Sequence, residues 1–279
     1  MGLIVNPDAG GKVAVLILLC SLAGCAGGEL SSKLAQQQQL VRSEQKNNIA
    51  SLSEAIKNNP KDANALNLRG SAFGQAGEYE KALEDFNAAL AINPQYAQAF
   101  ANRALVYVRA KRLPQAISDY DQAINLDPNY SIAYVGRGSV HRTMKNHPAA
   151  IADFTRALEL QPDPIAFFNR GLSRQAMGQH AQAVDDFDNA LGFRPDAPEV
   201  YHAKGLSQLE LKKYEKAFDD FQKAAQGSPN NYEAWALRGR AAEGMGAKKE
   251  AAKAYQRALQ INPSFQPARE GLERVGSEA

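Results

Sequence analysis

The stretch ALNLRGSAFGQAGEYEKALEDFNAALAINP, residues 65–94, sets small residues at Gly70, Ala82 and Ala89 around the aromatic Phe86 and closes on Pro94. The following residues repeat that order with Ala104, Ala116, Tyr120, Ala123 and Pro128. Working outward, prolines stand at Pro60, Pro94, Pro128, Pro162, Pro195, Pro229 and Pro263, spaced by 33 or 34 residues. A period of this length denotes a stacked array in which each unit buries its apolar face only against its neighbours.

Aligned on those prolines, six units carry the same columns. Position eight is Gly70, Ala104, Gly138, Gly171, Gly205 or Gly239. The aromatic column is Phe86, Tyr120, Phe154, Phe187, Phe221 and Tyr255. Small residues let two helix backbones approach, and a large ring fills the space above them. Gly77, Gly178 and Gly246 stand where a first helix ends, and Pro114 and Pro148 where a second begins. Each closing proline then stops the second helix. The expected fold is all-α, a superhelical solenoid of six helix–turn–helix pairs.

These columns resemble the tetratricopeptide repeat (TPR) family from about Ala63 to Pro263. The resemblance places six repeats over residues 63–265. A degenerate half-repeat, ASLSEAIKNNP, is assigned to residues 49–62, and a capping helix and tail to residues 266–279. The fourth unit lacks one residue at Pro162-Asp163-Pro164, where a change in superhelix geometry is expected.

At the N-terminus Lys12 precedes an apolar stretch, Val13 to Ala23, too short to span a bilayer as a helix. It fits the apolar core of a secretory signal over residues 1–24. Leu22-Ala23-Gly24-Cys25 is similar to a bacterial lipobox. That resemblance implies a diacylglycerol on Cys25, cleavage before it and further acylation (palmitate) of the new amine, which together hold a protein stably on a membrane. An ordinary cleaved signal or a short retained anchor are the other readings. Ala26 in place of Asp points to the outer membrane. Residues 25–48, rich in Gly, Ser and Gln, are read as a lipidated tether and the start of an N-terminal helix.

The chain carries 32 Lys and Arg against 30 Asp and Glu, a net charge of +2, with no basic block to suggest nucleic acid. Its histidines, His141, His147, His180 and His202, lie in different units without metal-ligand spacing. Phosphate loops and nucleophile elbows are absent from the sequence, so neither enzyme activity, nor a metal, nor any cofactor beyond the lipid on Cys25 is expected.

Position seven is basic in every unit: Arg69, Arg103, Arg137, Arg170, Lys204 and Arg238. In five units an Asp follows sixteen residues later: Asp85, Asp119, Asp153, Asp186 and Asp220. A basic ladder for anionic ligands is one reading. A repeated pair between helices explains the coupling better, at under ~1 kcal/mol each if the pairs lie on the surface.

In a TPR stack the first helix of each pair lines the concave face. The resemblance therefore points to a partner groove of Gln98, Asn102, Leu105, Arg109, Ile132, Val135, Arg142, Ile165, Phe168, Asn169, Leu172, His202, Leu206 and Leu209. Its centre is apolar and its flanks polar, as protein-binding patches are. Phe168 and Leu172 fit equally a seam between units. Asn102 and Asn169 lack the Lys and Arg of a carboxylate clamp. The architecture resembles NlpI-like adaptor lipoproteins: a periplasmic scaffold, anchored on the outer membrane, that binds protein partners such as wall hydrolases or proteases. A pilotin or assembly factor for a secretin is the alternative, and a homodimer is open.

Overall fold

The computed structural model describes residues 27–276, so the lipobox and the apolar segment before it lie outside the described residues. The chain divides after Ser51 into two compact units. In the first, the described residues belong to helix α1 (Gly27–Asn58), so the stretch read as a Gly-Gly tether is helical from Gly27 onward. Among the described residues no helix is long and apolar enough to cross a membrane.

Residues 52–279 hold six antiparallel helix pairs, followed by α14 (Gln266–Gly276). The pairs are α2 (Ala63–Ala76) with α3 (Tyr79–Ile92), α4 (Ala97–Arg109) with α5 (Leu113–Leu126), and α6 (Ser131–Thr143) with α7 (His147–Leu160). They continue as α8 (Pro164–Ala176) with α9 (His180–Phe193), α10 (Pro198–Glu210) with α11 (Tyr214–Gly227), and α12 (Tyr232–Gly244) with α13 (Lys248–Ile261). Local chemistry ends and starts these helices where the punctuation required. Asp62 caps α2 by accepting the Ala65 N–H at 2.9 Å. At the shortened fourth connection Asp163 caps α8, accepting the Ile165 N–H at 2.6 Å.

The turn after each first helix needs a left-handed residue. Gly77, Gly178 and Gly246 supply it at φ 82°, 74° and 74°. In the other three units the same position is Lys111, Lys145 and Lys212, at φ 61°, 60° and 55°. A side chain there costs on the order of 1 kcal/mol that glycine avoids.

Small and large residues interlock as the columns implied. A Cβ at Gly171 or Gly205 would lie 2.7 or 2.8 Å from the ring of Phe187 or Phe221, both fully buried. The two tyrosines in the aromatic column reach further. Tyr120 and Tyr255 extend into the next unit, onto Gly136 and Gly271, where a Cβ would come within 2.3 Å of the ring. Gly136→Ala must therefore displace a buried Tyr120, and it is expected to cost about 1–3 kcal/mol in chemical denaturation.

Successive first helices touch one another across most of the array (α2–α4, α4–α6, α6–α8, α8–α10), whereas successive second helices share no contact of that extent. The first helices therefore lie on the inside of the curve. Packing between successive first helices is loosest at α10 and α12.

In the first five units the basic residue of column seven meets its aspartate. Arg69 holds Asp85 with two bonds of 2.8 and 2.7 Å, and Arg103 holds Asp119 with two of 2.7 Å. Arg137 and Arg170 bind Asp153 and Asp186 in the same way. These are not surface pairs, because every one of the aspartates is buried. The expectation of under ~1 kcal/mol for exposed pairs therefore does not apply: desolvation offsets the attraction within the intact pair, and removing one partner leaves an uncompensated charge at higher cost. In the sixth unit Ala254 replaces the aspartate, and Arg238 packs instead over Phe218, 4.4 Å from its centroid. Its Nε has no hydrogen-bond partner, and burial lowers its pKa.

Candidate partner-binding groove

The inner face can be followed from its N-terminal end. Asn102 donates to Asn67 Oδ1 at 3.0 Å, Asn67 donates to the Tyr96 hydroxyl at 3.2 Å, and that hydroxyl donates to Asn64 at 3.0 Å. Gln98 is exposed beside this chain of amides, and Arg109 donates to the Gly74 carbonyl at 2.8 Å. Next along the face, Ile132 is exposed, Leu105 is half-buried, and Arg142 carries a buried Nε without a partner. Desolvation lowers the pKa of Arg142.

Val135 is buried with Phe154 and Ala166, and Leu209 with Phe221 and Ala241. Both were assigned to the groove, and both are corrected to core. Their helix positions border the inner face, and here the side chains turn into the seam between units. Phe168 and Leu172 pack partly into the Phe187 cluster, with the Phe168 ring 5.9 Å from Phe187. Ile165 leans on the Phe154 cluster, and Asn169 donates to its own helix at the Ile165 carbonyl, 2.8 Å away. The centre of the groove is thus a half-buried apolar floor.

At the C-terminal end the loose α10–α12 seam opens into a cavity of about 490 Å³. Its apolar lining includes Leu206, Leu237 and Phe265, and its rim carries Glu233, Arg240 and Glu270. His202 also lines it, with its ring edge-on to Phe221 at 5.8 Å and a buried Nδ1 without a partner. Burial lowers the His202 pKa by disfavouring the charged ring, with Glu233 opposing. Behind it Glu243 accepts two bonds of 3.0 Å from Arg274 and a short one from the Tyr255 hydroxyl. Burial alone would raise the Glu243 pKa, but the bonds from Arg274 and Tyr255 outweigh it and hold the group below its usual range.

Sequence reasoning had His202 and Leu206 but missed Glu233, Leu237 and Arg240. The signal was present: these are the second, sixth and ninth positions of the sixth unit, the columns that gave Gln98, Asn102 and Leu105 in the second. Asn67 was missed in the same way in the first unit.

TPR family models match residues 70–111, 97–130, 132–164, 168–232 and 232–265, described as TPR or tetratricopeptide repeats. The chain belongs to the tetratricopeptide repeat family. Its repeats mark a scaffold for protein–protein interaction, and they point to no catalytic family. No curated protein sequence matches the chain significantly. Among solved structures, YrrB, described as a TPR protein with an unusual peptide-binding site, is 21% identical with a TM-score of 0.65 over 68% of this chain and 99% of its own. The pilF protein of Pseudomonas aeruginosa is 23% identical with a TM-score of 0.64, covering 78% of this chain and 97% of its own. A TPR protein from Cytophaga hutchinsonii is 18% identical with a TM-score of 0.65, covering 84% and 98%. At these identities the likeness concerns the fold.

Proposed function

We propose that this TPR chain is a lipid-anchored periplasmic adaptor whose inner groove holds an extended or helical segment of a partner protein. The observation that carries the reading is the C-terminal cavity, where apolar Leu206, Leu237 and Phe265 are ringed by charges of both signs. An apolar anchor in a pocket, with a polar rim to fix orientation, is how protein interfaces concentrate their binding energy. Confinement by a lipid on Cys25 raises the effective concentration of partners at one surface. The peptide site ascribed to YrrB lends this reading support by analogy of fold.

In-cell crosslinking and purification of the tagged chain test it. Leu206→Arg, which places a charge in the cavity, is expected to reduce partner recovery by about tenfold or more, with helicity by circular dichroism unchanged. Cys25→Ser is expected to release the chain from membranes washed at high salt, where charge contacts to lipid are screened. Undiminished recovery with Leu206→Arg refutes the groove, and Cys25→Ser that stays on membranes like the parent through a high-salt wash, which screens surface charge, refutes the anchor. Wall enzymes or a secretin among the recovered proteins decide between an adaptor and a pilotin.

A further inference from the structure

Every first helix runs in the same direction, so all six turns leading to second helices lie along one edge of the array. Apart from Met1, the methionines of this chain are Met144, Met177 and Met245, and all three occupy the same position in those turns. They are 49%, 45% and 40% exposed. Beside this row stand the left-handed residues Lys111, Lys145 and Lys212, all exposed and without an ion pair among the described residues. Other units put glycine at that position. Lysine there costs on the order of 1 kcal/mol that glycine avoids. Lys213 and Lys248 add to the edge, and Arg112 is tied to Glu80 at 2.8 Å. Within the turns themselves Glu78 is the acidic residue, and on the adjoining helix ends Glu80, Glu210, Glu215 and Glu250 are matched by Arg109, Arg142, Lys216 and Lys249, so the edge stays net basic. The turns on the opposite edge carry four aspartates, Asp62, Asp127, Asp163 and Asp196, against two cations, Lys61 and Arg194.

We infer that the methionine–lysine edge is a docking face for an anionic lipid surface. Exposed ammonium groups on flexible stems suit mobile phosphate headgroups, and unbranched apolar methionine tips suit the boundary beneath them. A protein partner fits less well. Protein interfaces are depleted of lysine and draw their energy from apolar anchors in desolvated pockets, whereas this edge offers lysines and protruding tips. The inference depends on neither the groove nor the lipid on Cys25.

The test is flotation of the full chain carrying Cys25→Ser with vesicles of phosphatidylglycerol and phosphatidylethanolamine, against vesicles of phosphatidylcholine. Any contribution of the apolar N-terminal segment falls on both vesicle types and cancels in the comparison. Preference for the anionic vesicles is expected, falling as salt rises from 0.05 to 0.5 M, roughly the range over which surface charge becomes screened. Combining Lys111→Gly, Lys145→Gly and Lys212→Gly removes three charges and relieves the backbone. Binding to anionic vesicles is expected to drop about a hundredfold while the melting temperature holds or rises. That pairing keeps lost binding apart from lost folding. Met144→Gln with Met177→Gln is expected to weaken binding at high salt as well. Equal partition onto both vesicle types, or a triple glycine variant that floats like its parent, overturns the inference and leaves an acidic protein as the occupant of this edge.

Discussion

Asp186→Ala is expected to destabilise the array by about 3–5 kcal/mol, the largest single-residue effect in the basic–acidic ladder. Asp186 is 1% exposed, and two guanidinium groups converge on it, Arg170 at 2.7 Å and Arg174 at 2.9 Å. Removing the carboxylate leaves both cations partly buried without compensation, which costs more than the pair contributes when intact. Asp85→Ala leaves one such cation, Arg69, whose remaining bond runs to Ser53 at 3.1 Å. It is expected to cost less. Urea denaturation of the two variants gives the comparison. A loss under about 1 kcal/mol for Asp186→Ala would show that these pairs behave as exposed ones after all.

The ladder also shows how far the sequence could be read. Column seven and the aspartate sixteen residues on were visible as letters, and so was their coupling, since the two recur together in five units. Their burial was not, because burial depends on the second helix of the preceding unit. Arg137 reaches back to Asp121 at 2.6 Å, and Lys204 to Asp188 at 2.9 Å. The same limit applied to the tyrosines. Tyr120 and Tyr255 were seen as members of an aromatic column, yet the glycines they require, Gly136 and Gly271, lie in the next unit at a position where phenylalanine-bearing units are followed by Asn102, Asn169, Ala203 and Leu237. In the groove, column logic placed Leu206 and His202 correctly at the inner face but sent Val135 and Leu209 there too. A helix position on the border between the inner face and the seam is settled by its neighbours' sizes, and no single-unit pattern contains those.

The fifth unit breaks the ladder's rule, and its break gives the second large effect. Lys204 stands where the first four units have arginine, and it reaches Asp220 Oδ1 at 3.1 Å and Asp188 at 2.9 Å. An ammonium cannot span both carboxylate oxygens as a guanidinium fork does. Asp220 Oδ2 is consequently buried without a partner. Burial pushes the Asp220 pKa from 3.8 up to about 6, with Lys204 opposing, Asp188 adding to the rise and Lys223 opposing. Because the folded value exceeds the unfolded one, the fold favours the protonated acid. The group's stabilising contribution is complete below about pH 4 and is lost as pH rises through 6. Lys204 has a raised pKa and stays charged throughout this window, so it adds no slope. Lys204→Arg recreates the arrangement of Arg137 between Asp121 and Asp153 and supplies the missing bond. At pH 7 it is expected to stabilise the array by about 1–2 kcal/mol, an advantage that vanishes near pH 4. Asp220→Asn is expected to be tolerated at pH 7 and to remove the same pH dependence, the opposite of the loss expected at Asp186 in the same column. Urea denaturation of the parent and both variants at pH 4.5 and 7.5 measures the difference. Parallel stability curves for parent and Lys204→Arg across that range would mean that Asp220 is ionised normally and that its orphaned oxygen is met by water.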